Sequence, residues 1–83
     1  MEEWTAHAPQ VMRKAILEKF LQNVQCRTYL KATGNKLIAE ATKFDRFWGN
    51  GLDIGDPANA DVEKWPGTNL LGQILMETRE KLP

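Results

Sequence analysis

The stretch from Thr42 to Gly67 constrains this chain more than any other part. It holds four of the six glycines and two of the four prolines, at Gly49, Gly51, Gly55, Pro57, Pro66 and Gly67. Glycine loses the most freedom when fixed in a helix or strand, and proline has no amide to donate to either. No helical or alternating period runs through the segment. It reads as a long ordered loop, a feature that compact domains seldom keep without a use for it. Regular structure is confined to the flanks.

Both flanks are helical in pattern. Upstream, Met12, Ile16 and Phe20 recur at helical spacing with Val11, Ala15 and Leu17 alongside, which predicts a helix over about 10–22. Pro9 suits its first turn, and Lys14 and Glu18 form an outward i,i+4 pair. Asn23 reads as the N-cap of a second helix, with Cys26, Tyr29, Leu30 and Thr33 inward and Gly34 as the left-handed residue that ends it. So tight a connection points to an antiparallel pair. Residues 36–41 fit a brief strand or a helical turn equally. Downstream, a helix beginning near Thr68 or Asn69 buries Leu70, Leu71, Ile74, Leu75 and Thr78. Its outer side carries Met76, Glu77, Arg79, Glu80 and Lys81, with Glu77 and Lys81 paired. The expected fold is mainly α (α+β with little strand), a single small domain over residues 1–83.

Charge and cysteine content exclude several functions. Eleven basic and eleven acidic side chains leave no net charge, against the basic footprint of a nucleic-acid-binding domain. The lone Cys26 allows neither an internal disulfide nor a multi-cysteine zinc site, and on an apolar helical face it reads as an inert thiol. His7, the single histidine, reads as an exposed residue before the first helix. No apolar run reaches membrane-spanning length, and Met1-Glu2-Glu3-Trp4 is acidic where a secretory leader is basic, so a cytoplasmic protein without membrane contact is expected.

Two clusters could carry chemistry. In Asp45-Arg46-Phe47-Trp48-Gly49-Asn50-Gly51, the glycines let the backbone approach a ligand, the indole offers a flat face, and the carboxylate can accept a proton or stabilise a cation. The same residues also fit a loop anchored by two aromatics, with Asp45 capping the turn. Trp65-Pro66-Gly67-Thr68-Asn69 leads into a helix N-terminus, where free amides favour an anion. Capping by Thr68, with Trp65 as a hydrophobic staple, explains that cluster too. Asp53, Asp56, Asp61 and Glu63 lack the spacing of a calcium loop and read as a solvated face, so no metal and no cofactor is expected.

At these residues the chain resembles the NADAR family, also called YbiA-like. The resemblance is carried by Trp4, Val11-Met12, Lys19-Phe20, Gln22-Asn23, Thr33-Gly34 and Glu40-Ala41. It continues through Asp45, Trp48, Gly49 and Gly51, then Trp65, Gly67, Asn69, Leu71, Gly72, Leu75, Met76 and Arg79. It implies a YbiA-like helical domain, here its second half and apparently truncated, without the family's upstream Tyr-x-Ser-x-Glu type motif and its catalytic glutamate. It also implies N-glycosidase chemistry: hydrolysis of the C–N bond in a phosphorylated ribosyl or ADP-ribosyl substrate. Aminopyrimidine intermediates of riboflavin synthesis and ADP-ribosylated guanine are the substrates it implies, with nucleic acid a partner only as the carrier of such a guanine. By resemblance, Asp45 is the carboxylate that orients water or stabilises the cation, and Glu40 is either a second carboxylate or a holder of the loop. Trp4 and Trp48 pack on base or ribose. Gly49, Gly51, Gly67 and Asn69 contact substrate, the last two through phosphate or ribose. The competing reading is a non-catalytic half-domain, a nucleotide-binding or protein-interaction module that self-associates or pairs with a complementing N-terminal half.

Overall fold

The computed structural model describes the backbone from Glu2 to Pro83 and the side chains from Ala8 onward. It is mainly helical, and the described residues contain no strand. Helix α1 spans Glu2–Gln22, α2 Val24–Ala32 and α3 Leu70–Lys81; two short 3₁₀ turns, Pro57–Ala60 and Val62–Lys64, interrupt the long irregular segment before α3. The chain forms two compact units. One comprises Met1–Lys36 with Ile74–Pro83, the other Leu37–Gln73. Helix α3 begins in the second unit and ends in the first.

In the first unit, α1 starts well before the expected residue 10 and carries Pro9 inside it. Proline's fixed φ is already helical, so Pro9 removes one amide from the ladder without ending the helix. Ala8 and Ile16 are buried and Met12, Leu17 and Phe20 half-buried, whereas Val11 stays exposed. Asn23 alone joins α1 to α2 and caps α2 as expected, its side chain accepting from the Cys26 amide at 3.0 Å. Thr33 is the C-cap, and Gly34 follows at φ 64°, where an L side chain would be strained.

The inward face of α2 is narrower than its pattern predicts. Leu30 is buried, but Tyr29 is 80% exposed and Cys26 only half-buried. Leu30 is the buried residue of α2.

The last two turns of α3 are tied to this unit by side chains. Arg79 Nη1 donates to Thr33 Oγ1 at 2.8 Å and to the Lys36 carbonyl at 2.9 Å, holding the end of α2. Lys31 donates to the carbonyls of Leu82 and Pro83. Glu77 pairs with Arg13 of α1, Nε to Oε2 at 2.8 Å, rather than with Lys81. The Lys14–Glu18 pair does not close either: among the described residues the other ion pair is Lys64–Asp61. Exposed helical pairs are worth only tenths of a kcal/mol, so an arginine within reach takes Glu77 from Lys81, and the Lys14–Glu18 pair gains too little to hold two exposed side chains together. Ile74, Thr78 and Leu82 are buried here, with Leu75 and Met76 half-buried.

In the second unit, residues 37–41 are neither strand nor helical turn but irregular backbone. Bends and turns fill most of the segment to 67. Asp56 and Asp61 cap the two 3₁₀ turns, accepting from the amides of Ala58 and Glu63 at 2.8 and 3.1 Å. These two acids of the run therefore have local structural work.

Candidate functional site

The second unit contains every candidate site residue except Trp4, which lies in α1 and whose side chain is outside the described residues. His7 falls under the same limit. The centre of the site is the turn at Asp45. Its Oδ1 accepts from the amides of Phe47 and Trp48, both at 2.9 Å, so the carboxylate organises the three residues that follow it. One position earlier, the Phe44 amide donates to Thr42 Oγ1 at 3.2 Å. Asp45 is half-buried, and its second oxygen, Oδ2, has no hydrogen-bond partner among the described residues. Trp48 is half-buried too, its ring edge-on to Phe47 with centroids 4.8 Å apart. The sequence pattern allowed either a turn cap or a free carboxylate at Asp45. The geometry has one oxygen in each condition.

Beyond the turn, two backbone segments lie against each other. The carbonyls of Arg46, Phe47, Trp48, Gly49 and Asn50 accept from the amides of Thr68, Leu70, Leu71, Asn69 and Gly67, in that order, at 2.8, 3.1, 3.0, 2.9 and 2.8 Å. The sequence reading offers these amides to phosphate or ribose; in the structure each donates to a main-chain carbonyl. Those donors, the orphan amides at the start of α3, are already satisfied by carbonyls from the Asp45 turn. An anion site needs them free. The helix accordingly starts at Leu70, and its first amides are capped by these main-chain groups.

The glycines make that approach feasible. A Cβ at Gly67 would lie 2.6 Å from the Gly49 carbonyl oxygen and 2.7 Å from the Asn50 carbonyl carbon. At Gly49 it would meet the carbonyl oxygens of Asp45 and Glu40 at 2.8 and 2.9 Å. Gly51 adopts φ 83° with Pro66 Cγ 2.8 Å from where a Cβ would stand. In the sequence these residues suggested close approach of backbone to ligand. In the structure they let backbone approach backbone.

Asn69 is the keystone of the arrangement. It is 3% exposed and is the one described non-glycine residue at positive φ, 54°. Its Oδ1 accepts from the Glu40 amide at 2.8 Å and its Nδ2 donates to the Ile38 carbonyl at 3.0 Å. The carboxamide thus pairs with residues 38–40 as a neighbouring strand would. A Cβ at Gly72 would overlap both that carboxamide and the Ile38 carbonyl. Glu40 is held through its backbone on both sides, since its carbonyl also accepts from the Asn50 amide at 2.9 Å, while the residue as a whole is exposed.

Two residues that sequence reasoning passed over complete the support. Asn50 is fully buried; it donates from Nδ2 to Asn59 Oδ1 at 2.7 Å and accepts from the Leu52 amide at 3.0 Å. Asn59 in turn donates to the carbonyls of Asp53 and Asp56 at 2.7 and 2.9 Å. Trp65 donates from Nε1 to the carbonyls of Ala58 and Asn59 at 3.2 and 3.3 Å, a structural use of its indole. The one available signal was composition: an amide side chain between two glycines, and another two residues after a proline.

This backbone arrangement uses the residues of the motif Asp-x-x-Trp-Gly-x-Gly and of Trp-x-Gly-x-Asn-x-x-Gly together. The NADAR domain family matches residues 1–83. The chain belongs to the NADAR family. Among its NADAR relatives, protein irg-1 of Caenorhabditis elegans is 42% identical over 95% of this chain and 37% of its own length. An N-glycosidase of Acanthamoeba polyphaga mimivirus is 41% identical over 94% of this chain and 46% of its own. N-glycosidase YbiA of Escherichia coli is 37% identical over 98% of this chain and 44% of its own. The chain spans less than half the length of these curated relatives. No solved structure matches it.

Proposed function

We propose that this chain carries part of an N-glycosidase site that hydrolyses the C–N bond of a phosphorylated ribosyl or ADP-ribosyl substrate, with Asp45 as the acting carboxylate. The observation that carries the reading is the asymmetry of Asp45. One oxygen is fixed by two amides, and the other has no partner among the described residues, in a half-buried turn. The names of the mimivirus and bacterial relatives support the reaction class.

In such a hydrolysis the oxygen of water bonds to the anomeric carbon as the C–N bond breaks. The bonding pair leaves with the base nitrogen, which ends up carrying a proton, and the sugar gains the hydroxyl. Positive charge builds at the anomeric carbon in between. A carboxylate held rigidly at that point stabilises the charge without reorganising, and it accepts a hydrogen bond from the incoming water. The Phe47 and Trp48 amides supply the rigidity. Trp48 is assigned to packing against the sugar or base, and Glu40, exposed at the same loop, to a secondary charge. Gly49, Gly51, Gly67 and Asn69 serve by positioning the turn. Aminopyrimidine ribosyl phosphates and ADP-ribosylated guanine are the substrates to try first.

The test is release of free ribose phosphate or ADP-ribose by the chain and by Asp45→Asn, which keeps the Oδ1 acceptor and so the turn. A fall in kcat of about 10²- to 10⁴-fold is expected when a charge of this kind is neutralised. Activity unchanged in Asp45→Asn would remove Asp45 from the mechanism.

Exposed Val24 and Tyr29 on α2, at 63% and 80%, favour a second reading: a module that associates with itself or with a complementing N-terminal half. A monomer in sedimentation at high concentration, with no gain on adding the upstream region of a relative, would count against it.

A further inference from the structure

Phe44 is the most exposed of the large apolar side chains described, at 87%. It does not sit on a loose end. Its amide donates to Thr42 Oγ1 at 3.2 Å, and the next residue is Asp45, whose carboxylate closes the turn. The benzyl group is thus displayed from a backbone held on either side, and buries almost none of its surface against its own chain. The neighbouring rings are differently placed: Phe47 and Trp48 are engaged edge-to-face with each other. Phe44 has no ring partner among the described residues. Its recorded neighbour is the Lys43 ammonium, 5.2 Å from the ring centroid.

We propose that Phe44 is the stacking platform for the flat heteroaromatic base of the N-glycoside, and so a specificity-determining residue. The inference rests on the reading of Asp45 given above. Successive Cα atoms are about 3.8 Å apart, so a ring on residue 44 and a carboxylate on residue 45 fall within the span of one nucleoside. The base has a π-face and asks only for an aromatic surface, which is why such stacking tolerates many bases. The Lys43 ammonium lies over one face of the ring, so the base would stack on the other, and the charge suits a ligand that also carries phosphate. A sugar phosphate without a base has no use for the platform. Phe44 therefore decides between ligands that share their ribose and phosphate and differ in the base.

The experiment measures binding of guanosine 5′-monophosphate and of ribose 5-phosphate by calorimetry to the 83-residue chain, Phe44→Leu and Phe44→Trp. Near-UV circular dichroism confirms an unchanged fold, as expected at so exposed a position. Phe44→Leu is expected to weaken the nucleotide by about 5- to 100-fold and to leave ribose 5-phosphate within about two-fold, with Phe44→Trp close to wild type. Equal weakening of both ligands, no change in either, or a wild-type chain that binds the nucleotide no better than the sugar phosphate would each overturn the proposal. Hydrolysis is scored separately. Nucleotide binding that depends on Phe44 in a chain with no Asp45-dependent hydrolysis would refute the catalytic reading and leave the platform standing.

Discussion

Replacing Asn69 tests the central claim about this site, that one side chain ties residues 38–40 to the start of α3. The carboxamide makes two hydrogen bonds, to the Glu40 amide at 2.8 Å and the Ile38 carbonyl at 3.0 Å, from a residue only 3% exposed. Asn69→Ala removes both. A buried group that loses its partner costs about 1–3 kcal/mol, but Glu40 is itself exposed and water recovers part of that loss, so about 2 kcal/mol for the pair is the reasoned value. Alanine also meets the left-handed backbone at φ 54°, which adds about 1 kcal/mol. The total is about 3 kcal/mol, a large share of the stability of a domain this small. Asn69→Gly separates the two causes, because glycine accepts the left-handed region: it should lose the hydrogen bonds alone and sit about 1 kcal/mol above the alanine variant. Asn69→Asp keeps the acceptor for Glu40 but sets an oxygen against the Ile38 carbonyl, and should fall at least as far as glycine. Urea denaturation followed by tryptophan fluorescence reads all three. A cost below about 0.5 kcal/mol for Asn69→Ala, or a glycine variant as stable as wild type, would refute the reasoning.

Three further substitutions follow from the same contacts. Gly72→Ala drives a methyl into the Ile38 carbonyl and the Asn69 carboxamide, so it should cost at least as much as Asn69→Ala in the same assay although alanine is the better helix former. Asn59→Ala strands the fully buried Asn50 amide, while the carbonyls of Asp53 and Asp56 keep the backbone amides of Asp56 and Asn59; it should lower stability by about 1–3 kcal/mol, with faster hydrogen exchange across 50–59 as the local signature. Arg13→Ala breaks a pair whose side chains are 39% and 44% exposed, so the loss should stay below about 1 kcal/mol and shrink as salt is added; a larger, salt-independent loss would show that Arg13 packs rather than pairs.

Local features of the chain were readable in advance. Asn23 and Gly34 delimit α2 as their residue types predict, because capping depends on neighbouring atoms within one turn. Pro9 misled for the complementary reason: proline favours a helix start but only weakens a helix already formed. Tyr29 misled because a period says which residues share a face and not whether anything covers it. The local spacing pairs Glu77 with Lys81, but Arg13, distant in sequence and near in space, takes Glu77 instead.

The candidate site divides along the same line. Residue types alone determined that Asp45, Trp48 and the glycines share one loop, that this loop precedes a helix, and that the motif is a NADAR motif. The destination of each hydrogen bond was decided only by the fold. Amides at a helix start look alike in sequence whether they face water, phosphate or a carbonyl, and here the carbonyls of residues 46–50 reached them first. Asn69 has the same composition as a ligand and as a strut. Its hydrogen bond to Glu40, 29 residues away, is specified by nothing local. Caps and turns are written in adjacent residues because their atoms are covalently close. The partners that hold the Asp45 turn against α3 become neighbours only once the intervening chain has folded back, and no periodicity along the chain encodes that meeting.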